Sequence, residues 1–327
     1  MRLAGDIGGT KTVLCLFEEI SAGELLIHSE QSFSSRDYPQ FNDVLNAFLP
    51  KDILLTSMCL GVAGPVVKQC CQTTNLPWLI DANALQQHFG LAQCQLLNDL
   101  EAMALGMLSL PEDELVELNP NALEQSGNKA VIAAGTGLGE ALLYWDGERY
   151  HAMATEGGHC DLAAQTHQQD LLVQYLRNVH PEHVSYERVI AGDGFSLLYE
   201  FLLAHDYAPP MHALPDASDA DTQLDRNAQI SALGVAGEDS VCAEVVRLFV
   251  ELYGAEAGNL ALKALAVGGI YIGGGIAGKI LSAMQEGTFL QAFKAKGRFK
   301  SLLDTVSVKI ALNPRTPLLG AMHYFLN

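Results

Sequence analysis

Two glycine-rich turns, each set between apolar runs, are the segments of this sequence best suited to bind phosphate. In the first, Asp6 stands just before Gly8-Gly9-Thr10-Lys11, and in the second, Gly135-Thr136-Gly137 follows the apolar run Val131-Ile132-Ala133-Ala134. Glycine permits positive φ angles, and successive N–H groups in such a turn can converge on an anion. The sequence therefore predicts two phosphate-facing turns.

Side chains that could hold a polyol lie between and after these turns. They are Asn98-Asp99, Glu156-Gly157-Gly158-His159 and, farther along, Glu187. Each sugar hydroxyl is both donor and acceptor, so carboxylates, amides and imidazoles can pair with it and discriminate epimers. Phosphate-binding turns beside a polyol pocket predict a sugar kinase. On the residues alone, a helix cap is an equally good interpretation of Asn98-Asp99.

Metal and disulfide chemistry are disfavoured. His159, Cys160 and Asp161 are consecutive, and neighbours on an extended segment point to opposite faces, so they chelate poorly. The seven cysteines contain no C-x-x-C pattern and no regular spacing, which argues against a zinc knuckle or a disulfide framework. Reduced, buried thiols are the better interpretation.

Length and charge bound the classes of function. The 327 residues predict two lobes or domains, and 19 basic against 38 acidic residues give a formal charge of −19. That balance argues against nucleic acid or an anionic membrane as partner, since both need a basic face. No leader pattern precedes the first strand, and the longest uncharged apolar run, 264–278, is too short for a membrane span. We therefore predict a cytoplasmic protein.

Apolar periodicity and turn residues place these side chains on elements. The patterns predict a helix over 41–49, a buried strand over 53–60, a short strand over 95–97, a helix over 100–108 and a solvated loop over 213–226. Ligands of open α/β sheets collect at the carboxyl ends of strands, where Asn98 and Asp99 would lie. A third strand, glycine turn and helix start stands at Gly273-Gly274-Gly275.

The order and separation of these motifs carry a family resemblance. The set consists of Asp6-Ile7-Gly8-Gly9-Thr10, Asn98-Asp99, Ala134-Gly135-Thr136-Gly137-Leu138-Gly139, Glu156-Gly157-Gly158-His159, Ser185-Tyr186-Glu187-Arg188-Val189 and Gly273-Gly274-Gly275-Ile276. In this order the chain resembles bacterial glucokinase, in the hexokinase, actin and heat-shock ATPase fold superfamily. The resemblance extends over essentially the whole chain.

The resemblance implies an α/β fold of two ribonuclease H-like (actin-like ATPase) domains, each with a five-stranded mixed sheet and with a ligand cleft between them. It places 1–108 plus 314–327 in the smaller domain and 109–313 in the larger. The implied reaction is ATP-dependent phosphorylation of D-glucose at its 6-hydroxyl, the first step of glycolysis, with Mg²⁺. A homodimer is compatible with the resemblance.

The resemblance also implies residue roles. Asp99 is the carboxylate beside the attacking sugar hydroxyl, Asn98 fixes an adjacent hydroxyl, and Glu156, His159, Glu187 and, less strongly, Asn75 bind the sugar. Asp6 orients Mg²⁺ through water, and the phosphates and adenosine contact Gly8, Gly9, Thr10, Lys11, Gly135, Thr136, Gly137, Gly274 and Gly275. Lys11 departs from the asparagine of many bacterial glucokinases. It either adds charge to the phosphate site or extends into solvent.

Three alternatives remain open. One is a kinase for another hexose or amino sugar, such as mannose, fructose or N-acetylmannosamine, because epimer choice depends on placement that the sequence does not give. A second is a sugar-sensing regulator, although no basic helix-turn-helix module is visible. An actin-like polymer is the poorest, since a polymer needs no Glu-Gly-Gly-His pocket.

Overall fold

The computed structural model describes residues 1–21, 23–51, 53–73, 75–215 and 220–326, with only the backbone described at 220–224. The chain divides into two compact units. The first comprises Met1–Glu114, Ala141–Ala154 and Asn313–Asn327, and the second comprises Leu115–Glu140 and Thr155–Leu312. The domain boundaries drawn from the resemblance stay a prediction.

The described residues form strands and α-helices in mixed order. The strands are β1 Arg2–Ile7, β2 Lys11–Ser21, β3 Glu24–Ser34, β4 Ser57–Val62, β5 Cys70–Gln72, β6 Leu79–Asp81, β7 Gln93–Asn98, β8 Leu115–Glu117, β9 Lys129–Ala134, β10 Leu138–Trp145, β11 Tyr150–Thr155, β12 Gly269–Gly273 and β13 Val308–Ala311. The helices are α1 Phe41–Phe48, α2 Ala82–Phe89, α3 Asp99–Met107, α4 His167–Val179, α5 Gly194–Ala204, α6 Ala220–Ala236, α7 Ser240–Ala264, α8 Gly275–Lys279, α9 Leu281–Gln285, α10 Thr288–Lys294, α11 Lys300–Leu303 and α12 Thr316–His323.

The first sheet has the order β3-β2-β1-β4-β7. β1 runs antiparallel to β2 and parallel to β4, which runs parallel to β7. Ile7 pairs with Val62, and Val62 pairs with Asn98. The carboxyl ends of the three parallel strands therefore meet at one edge, where Asp6 and Asp99 also lie.

The second sheet has the order β11-β10-β9-β12-β13-β8, with β9, β12 and β13 mutually parallel and β8 antiparallel to β13. Five of its strands, from β11 to β13, are arranged as in the first sheet. In both sheets the third, second, first, fourth and fifth strand of the set, counted along the chain, lie side by side in that order. This confirms the predicted α/β fold with repeated mixed sheets. The expectation of five strands per sheet is wrong for this one, because Leu115–Glu117 adds a sixth strand at the β13 edge.

The α3 helix is held by close packing against α12. A Cβ on Gly320 would lie 1.7 Å from the Ala102 carbonyl oxygen, and one on Gly106 would lie 1.9 Å from that of Thr316. Only glycine allows the two backbones to approach this closely. The packing fixes the helix whose first residue is Asp99.

Two local predictions are wrong. The strand predicted over 53–60 is β4, Ser57–Val62, because β1 begins at Arg2 and its pairing with β4 starts at Ser57. Part of the loop predicted over 213–226 is the start of α6, while 216–219 lie outside the described residues. The Arg226 guanidinium donates to the Pro215 carbonyl oxygen at 2.8 Å and to Glu200 on α5, and the Asn227 Oδ1 accepts the Ser196 N–H of α5 at 3.0 Å, so α6 is bonded to a neighbouring helix. No helix among the described residues is long and apolar enough to cross a membrane.

Candidate active site

The first glycine turn is closed on itself and braced from outside. The Gly8 N–H donates to the Lys11 carbonyl oxygen at 3.0 Å. Ser35 donates its hydroxyl to the Gly8 carbonyl oxygen at 2.8 Å and its N–H to that of Thr10 at 2.9 Å. A third contact joins the Ser35 and Thr12 hydroxyls, 2.9 Å apart. The turn is thus pre-formed, and sequence reasoning missed Ser35 because its partners are far away in sequence.

Asn75 packs directly against this turn. A Cβ on Gly9 would lie only 2.7 Å from the Asn75 Cβ, a distance that real Cβ atoms essentially never show. Gly9 therefore has to be glycine for the contact to exist. The structure brings the predicted sugar-side Asn75 next to the predicted phosphate turn.

Asp6 and Asp99 influence each other electrostatically at the sheet edge. Burial, followed by the nearby Asp99 carboxylate, raises the pKa of Asp6 from 3.8 to about 6, and the positive charge of Lys11 acts in the opposite direction. Lys11 is itself exposed, yet its charge acts on Asp6. Two neighbouring carboxylates of which one is costly to ionise form a site that a cation would stabilise.

Asn98 does cap α3. Its Oδ1 accepts the Leu100 N–H at 2.9 Å, its own N–H donates to Glu101 at 3.0 Å, and its Nδ2 donates to the Gly64 carbonyl oxygen at 3.1 Å. The Asp99 carboxylate also accepts the Leu100 N–H, at 3.0 Å. The cap interpretation thus describes the hydrogen bonds of Asn98, and it fixes the orientation of the first turn that carries Asp99.

The second glycine turn is tied to Glu187. The Gly135 N–H donates to the Gly137 carbonyl oxygen at 2.8 Å, and the Glu187 Oε2 accepts the Leu138 N–H at 3.0 Å. A Cβ on Gly137 would lie 2.6 Å from that same oxygen. The predicted sugar carboxylate and the predicted phosphate turn are therefore in direct contact.

His159 lies on the other side of Glu187. Its Nε2 is 3.7 Å from the Glu187 Oε1, and both side chains are accessible, at 58% and 32%. The residues Gly157–His159 form a short 3-10 helix, and Glu156, just before it, is exposed. A carboxylate, an imidazole and a second carboxylate on an accessible surface suit recognition of vicinal hydroxyls.

Glu140 is the residue that sequence reasoning missed in this region. It is a carboxylate, only 1% exposed, within the otherwise apolar strand β10. A Cβ on Gly157 would lie 2.0 Å from its Oε2, and one on Gly158 would lie 2.1 Å from the Leu138 carbonyl oxygen. The two glycines let the Glu156–His159 segment lie against β10. The sequence did carry a signal for Glu140, since it is a single charged residue within an apolar run.

The third glycine turn adjoins the second. Gly274 has φ 82°, and a Cβ there would lie 2.2 Å from the carbonyl oxygen of Ala134, the residue before Gly135. Gly275 opens α8 and has open space around its Cβ position. The structure thus gathers Gly274 with the second turn.

The described residues hold no preformed cluster of metal-binding side chains. Across the described ranges, no group of three or more His, Cys, Asp or Glu side chains could hold a metal ion. Mg²⁺ at Asp6 would therefore need phosphate oxygens or water to complete its ligands, which is how Mg²⁺ usually binds with nucleotides. All seven cysteines are free thiols. Four are buried and two are partly buried, but the prediction of buried thiols is wrong for Cys160, which is exposed.

Comparison with known proteins gives consistent results over the whole chain. The sequence model of the family described as "Glucokinase" matches residues 3–327. The glucokinase of Trichormus variabilis is 38% identical over 331 residues, covering 98% of this chain and 97% of that protein. The crystal structure of a glucokinase from an Antarctic psychrotroph superposes with a TM-score of 0.85 at 32% identity, covering 98% of this chain and 97% of that one.

A more distant structure shares the fold. A ROK family glucokinase from Streptomyces griseus, solved in complex with glucose and AMPPNP, has a TM-score of 0.62 at 18% identity and covers 98% of this chain and 97% of its own. At this identity the likeness concerns the fold alone. The family match and the full-length relatives decide the classification: this chain belongs to the glucokinase family.

Proposed function

We propose that this chain transfers the γ-phosphoryl group of ATP to the 6-hydroxyl of D-glucose, giving glucose 6-phosphate and ADP, with Asp99 as the general base. Family membership supports the reaction. The observation that carries the assignment of Asp99 is its position. It begins α3 directly after a parallel strand, at the sheet edge that also holds Asp6 and the first glycine turn.

The Asp99 carboxylate takes the proton of the 6-hydroxyl as its oxygen attacks the γ-phosphorus. The new O–P bond forms while the bond from the γ-phosphorus to the β,γ-bridging oxygen breaks, and ADP leaves with that electron pair. The cap at Asn98 and the glycine contacts between α3 and α12 hold the base in place. Phosphoryl transfer depends mostly on such positioning.

Glucose recognition is assigned to the accessible polar groups of the second unit. Glu187 and His159, 3.7 Å apart, and the exposed Glu156 offer carboxylate and imidazole groups to the sugar hydroxyls. Asn98 and Asn75 of the first unit are assigned further hydroxyl contacts. An epimer that places a hydroxyl differently leaves one of these groups without its partner, which is the basis of discrimination among hexoses.

The nucleotide is assigned to the glycine turns. Gly8, Gly9 and Thr10, with Gly135, Thr136 and Gly137, offer backbone N–H and hydroxyl donors to the phosphates, and Lys11 adds a positive charge. Gly274 and Gly275 offer a surface without side chains for adenosine. Asp6 would hold Mg²⁺, directly or through water, and the ion would neutralise phosphate charge. The carboxylate pair of Asp6 and Asp99 fits a cation.

We assign the reaction to the cytoplasm, because ATP is available there and free thiols such as the exposed Cys160 persist in a reducing compartment. A homodimer and the absence of a nucleic acid partner stay predictions. Size-exclusion chromatography with light scattering decides the first.

A coupled assay for ADP release tests the function. Glucose, mannose, fructose and N-acetylmannosamine are each offered with ATP, ADP or polyphosphate as donor, with and without Mg²⁺. We expect the largest kcat/KM for glucose with ATP, and activity only with Mg²⁺. Turnover of another sugar at a higher kcat/KM than glucose would contradict the assignment of substrate, and no turnover of any sugar would contradict that of a kinase.

A further inference from the structure

Two buried carboxyl groups face each other in the second unit. Glu140 on β10 is 1% exposed, and Glu256 on α7 is fully buried. Burial, the charge of Glu256 and a side-chain hydrogen bond with Glu256 each raise the pKa of Glu140. One proton is needed for that hydrogen bond, since two ionised carboxylates have only acceptors. The proposed reaction gives this pair no role.

Glu140 supports the loop Glu156–His159. A Cβ added to Gly157 would lie 2.0 Å from the Glu140 Oε2. The Glu140 carbonyl oxygen accepts the Thr155 hydroxyl at 3.0 Å, and the Thr155 Oγ1 in turn accepts the Gly157 N–H at 3.1 Å. The first residues of the loop are therefore bonded to the backbone of β10 at Glu140, and the Glu140 side chain packs against Gly157.

Glu256 supports the segment that carries Glu187. The Asn259 Nδ2 donates to the Glu256 Oε2 at 2.8 Å and to the Tyr186 hydroxyl at 3.1 Å. The Lys263 Nζ donates to the other Glu256 oxygen at 3.0 Å. Tyr186 is buried and directly precedes Glu187. A displacement of Glu256 would therefore reach Glu187 through Asn259 and Tyr186.

The second carboxyl oxygen of Glu140 adds another observation. Its Oε1 is buried and has no hydrogen-bond partner in the part of the chain that the structure describes. An unpaired carboxylate oxygen at such a site is costly, whereas a protonated carboxyl is much less so. The arrangement is therefore suited to a single proton shared by Glu140 and Glu256.

We propose that Glu140 is a positioning residue for glucose binding, which holds the loop Glu156–His159 through Gly157 and links it to Glu187 through Glu256. The inference rests on the assignment of that loop and Glu187 to glucose. Glu140 itself is assigned no contact with either substrate; it acts through the backbone of the loop.

Several other ionisable groups among the described residues act on the pair or on its neighbours. They are Tyr253 and Lys263 on α7, Tyr186 and Cys160 on the segments beside the loop, and Lys296 after α10. Lys263 favours the ionised form of Glu140, but burial and Glu256 outweigh it. Glu140 should therefore ionise at a higher pH than an ordinary carboxyl group. Its ionisation should weaken the support of the loop.

Substitutions at Glu140 test the proposal. Glu140→Gln keeps the shape and supplies an N–H for Glu256, so we expect a near wild-type KM for glucose at neutral pH. Glu140→Leu removes the hydrogen bond, and we expect KM for glucose to rise about tenfold or more, with KM for ATP unchanged. Between about pH 6 and about pH 9.5, KM for glucose should rise in the wild type and stay flat in Glu140→Gln.

A matched control separates positioning from stability. Glu244 is another nearly buried carboxylate of α7, bonded to Arg247 at 2.8 Å and far along the helix from Glu256. Glu244→Gln should lower the melting temperature and leave KM for glucose unchanged. An equal rise of KM in Glu244→Gln, or an unchanged KM in Glu140→Leu, would overturn the proposal. If Glu140→Leu does not fold, a pH dependence retained by Glu140→Gln would do the same.

Variants of the proposed glucose ligands show whether the positioning role of Glu140 or the glucose site itself is wrong. If Glu156→Gln and Glu187→Gln weaken glucose binding but Glu140→Leu does not, the positioning role is wrong and the glucose site stands. If neither direct variant changes glucose affinity by calorimetry, the glucose site lies elsewhere, and the role of Glu140 in glucose binding is wrong with it.

Discussion

Replacing Asp6 by asparagine should make the protein more stable and less active. Asp6 is half-buried beside Asp99, and its pKa rises from 3.8 to about 6 because burial and that neighbour disfavour its charge. At neutral pH the folded protein therefore holds an ionised group in an unfavourable place. An asparagine side chain would have the same shape without the charge, at the expense of the proposed Mg²⁺ ligand.

The size and sign of the effect follow from linkage. A carboxyl whose pKa is raised on folding contributes least to stability when it is ionised, so the free energy of unfolding falls as pH rises from about 4 through about 6. The full rise from 3.8 to about 6 corresponds to about 3 kcal/mol. Solvent screening of a half-buried group reduces this to about 1–2 kcal/mol. For a unit of 150–250 residues that corresponds to about 2–8 °C in Tm.

Calorimetry without Mg²⁺ measures this effect. The gain in Tm of Asp6→Asn over wild type should be near zero at about pH 4, grow through about pH 6 and level off near pH 8. Asp113→Asn, at an exposed aspartate, is the control and should show no such growth. A Tm difference that does not change with pH, or a variant less stable than wild type at pH 8, would refute the reasoning. Turnover of Asp6→Asn should fall at every pH.

Three further outcomes are expected. Asp99→Asn should lower kcat about a hundredfold or more with little change in glucose affinity by calorimetry, and a near wild-type kcat would remove it as base. Glu187→Gln should weaken glucose binding about tenfold or more, and should also loosen the second glycine turn, seen as faster amide exchange at Leu138. Gly157→Ala should raise KM for glucose because its Cβ overlaps Glu140, while Gly278→Ala, with open space around the Cβ position, should not; equal effects would argue against a specific overlap.

The fold was predicted from the family resemblance that the ordered glycine motifs carry, and apolar patterns predicted individual elements of it. The two glycine-rich turns were each predicted between apolar runs, and they join β1 to β2 and β9 to β10. Their information is local, because pairing partners are adjacent in sequence. The start of β4 was misplaced since it is set by its neighbour, β1, which begins only at Arg2. The sixth strand, β8, is three residues long and carries too little pattern to be seen.

At the candidate active site, fewer of the contacts could be predicted from the sequence. Asp6, Asp99 and Glu187 stand in motifs and could be named from sequence, although their roles stay predictions. Ser35, which braces the first turn, and Glu256, which bonds to Glu140, could not, because each acts on residues more than twenty positions away. Such contacts depend on which elements become neighbours after folding, and single-sequence patterns carry no such distances.

The two glycine turns repeat one topology but are held by different chemistry. The first is braced by the buried Ser35, which is not among the residues assigned to bind a substrate. The second is held by Glu187, whose two oxygens face the Leu138 N–H and His159. Glu187 therefore both supports a proposed phosphate turn and is a proposed sugar ligand. A sugar hydroxyl that bonds to the Glu187 carboxylate and shifts it must also change the length of the bond between Glu187 and the Leu138 N–H. Glucose and nucleotide binding are therefore expected to be coupled locally within the second unit, whereas the turn of the first unit has no equivalent carboxylate bond among its described residues.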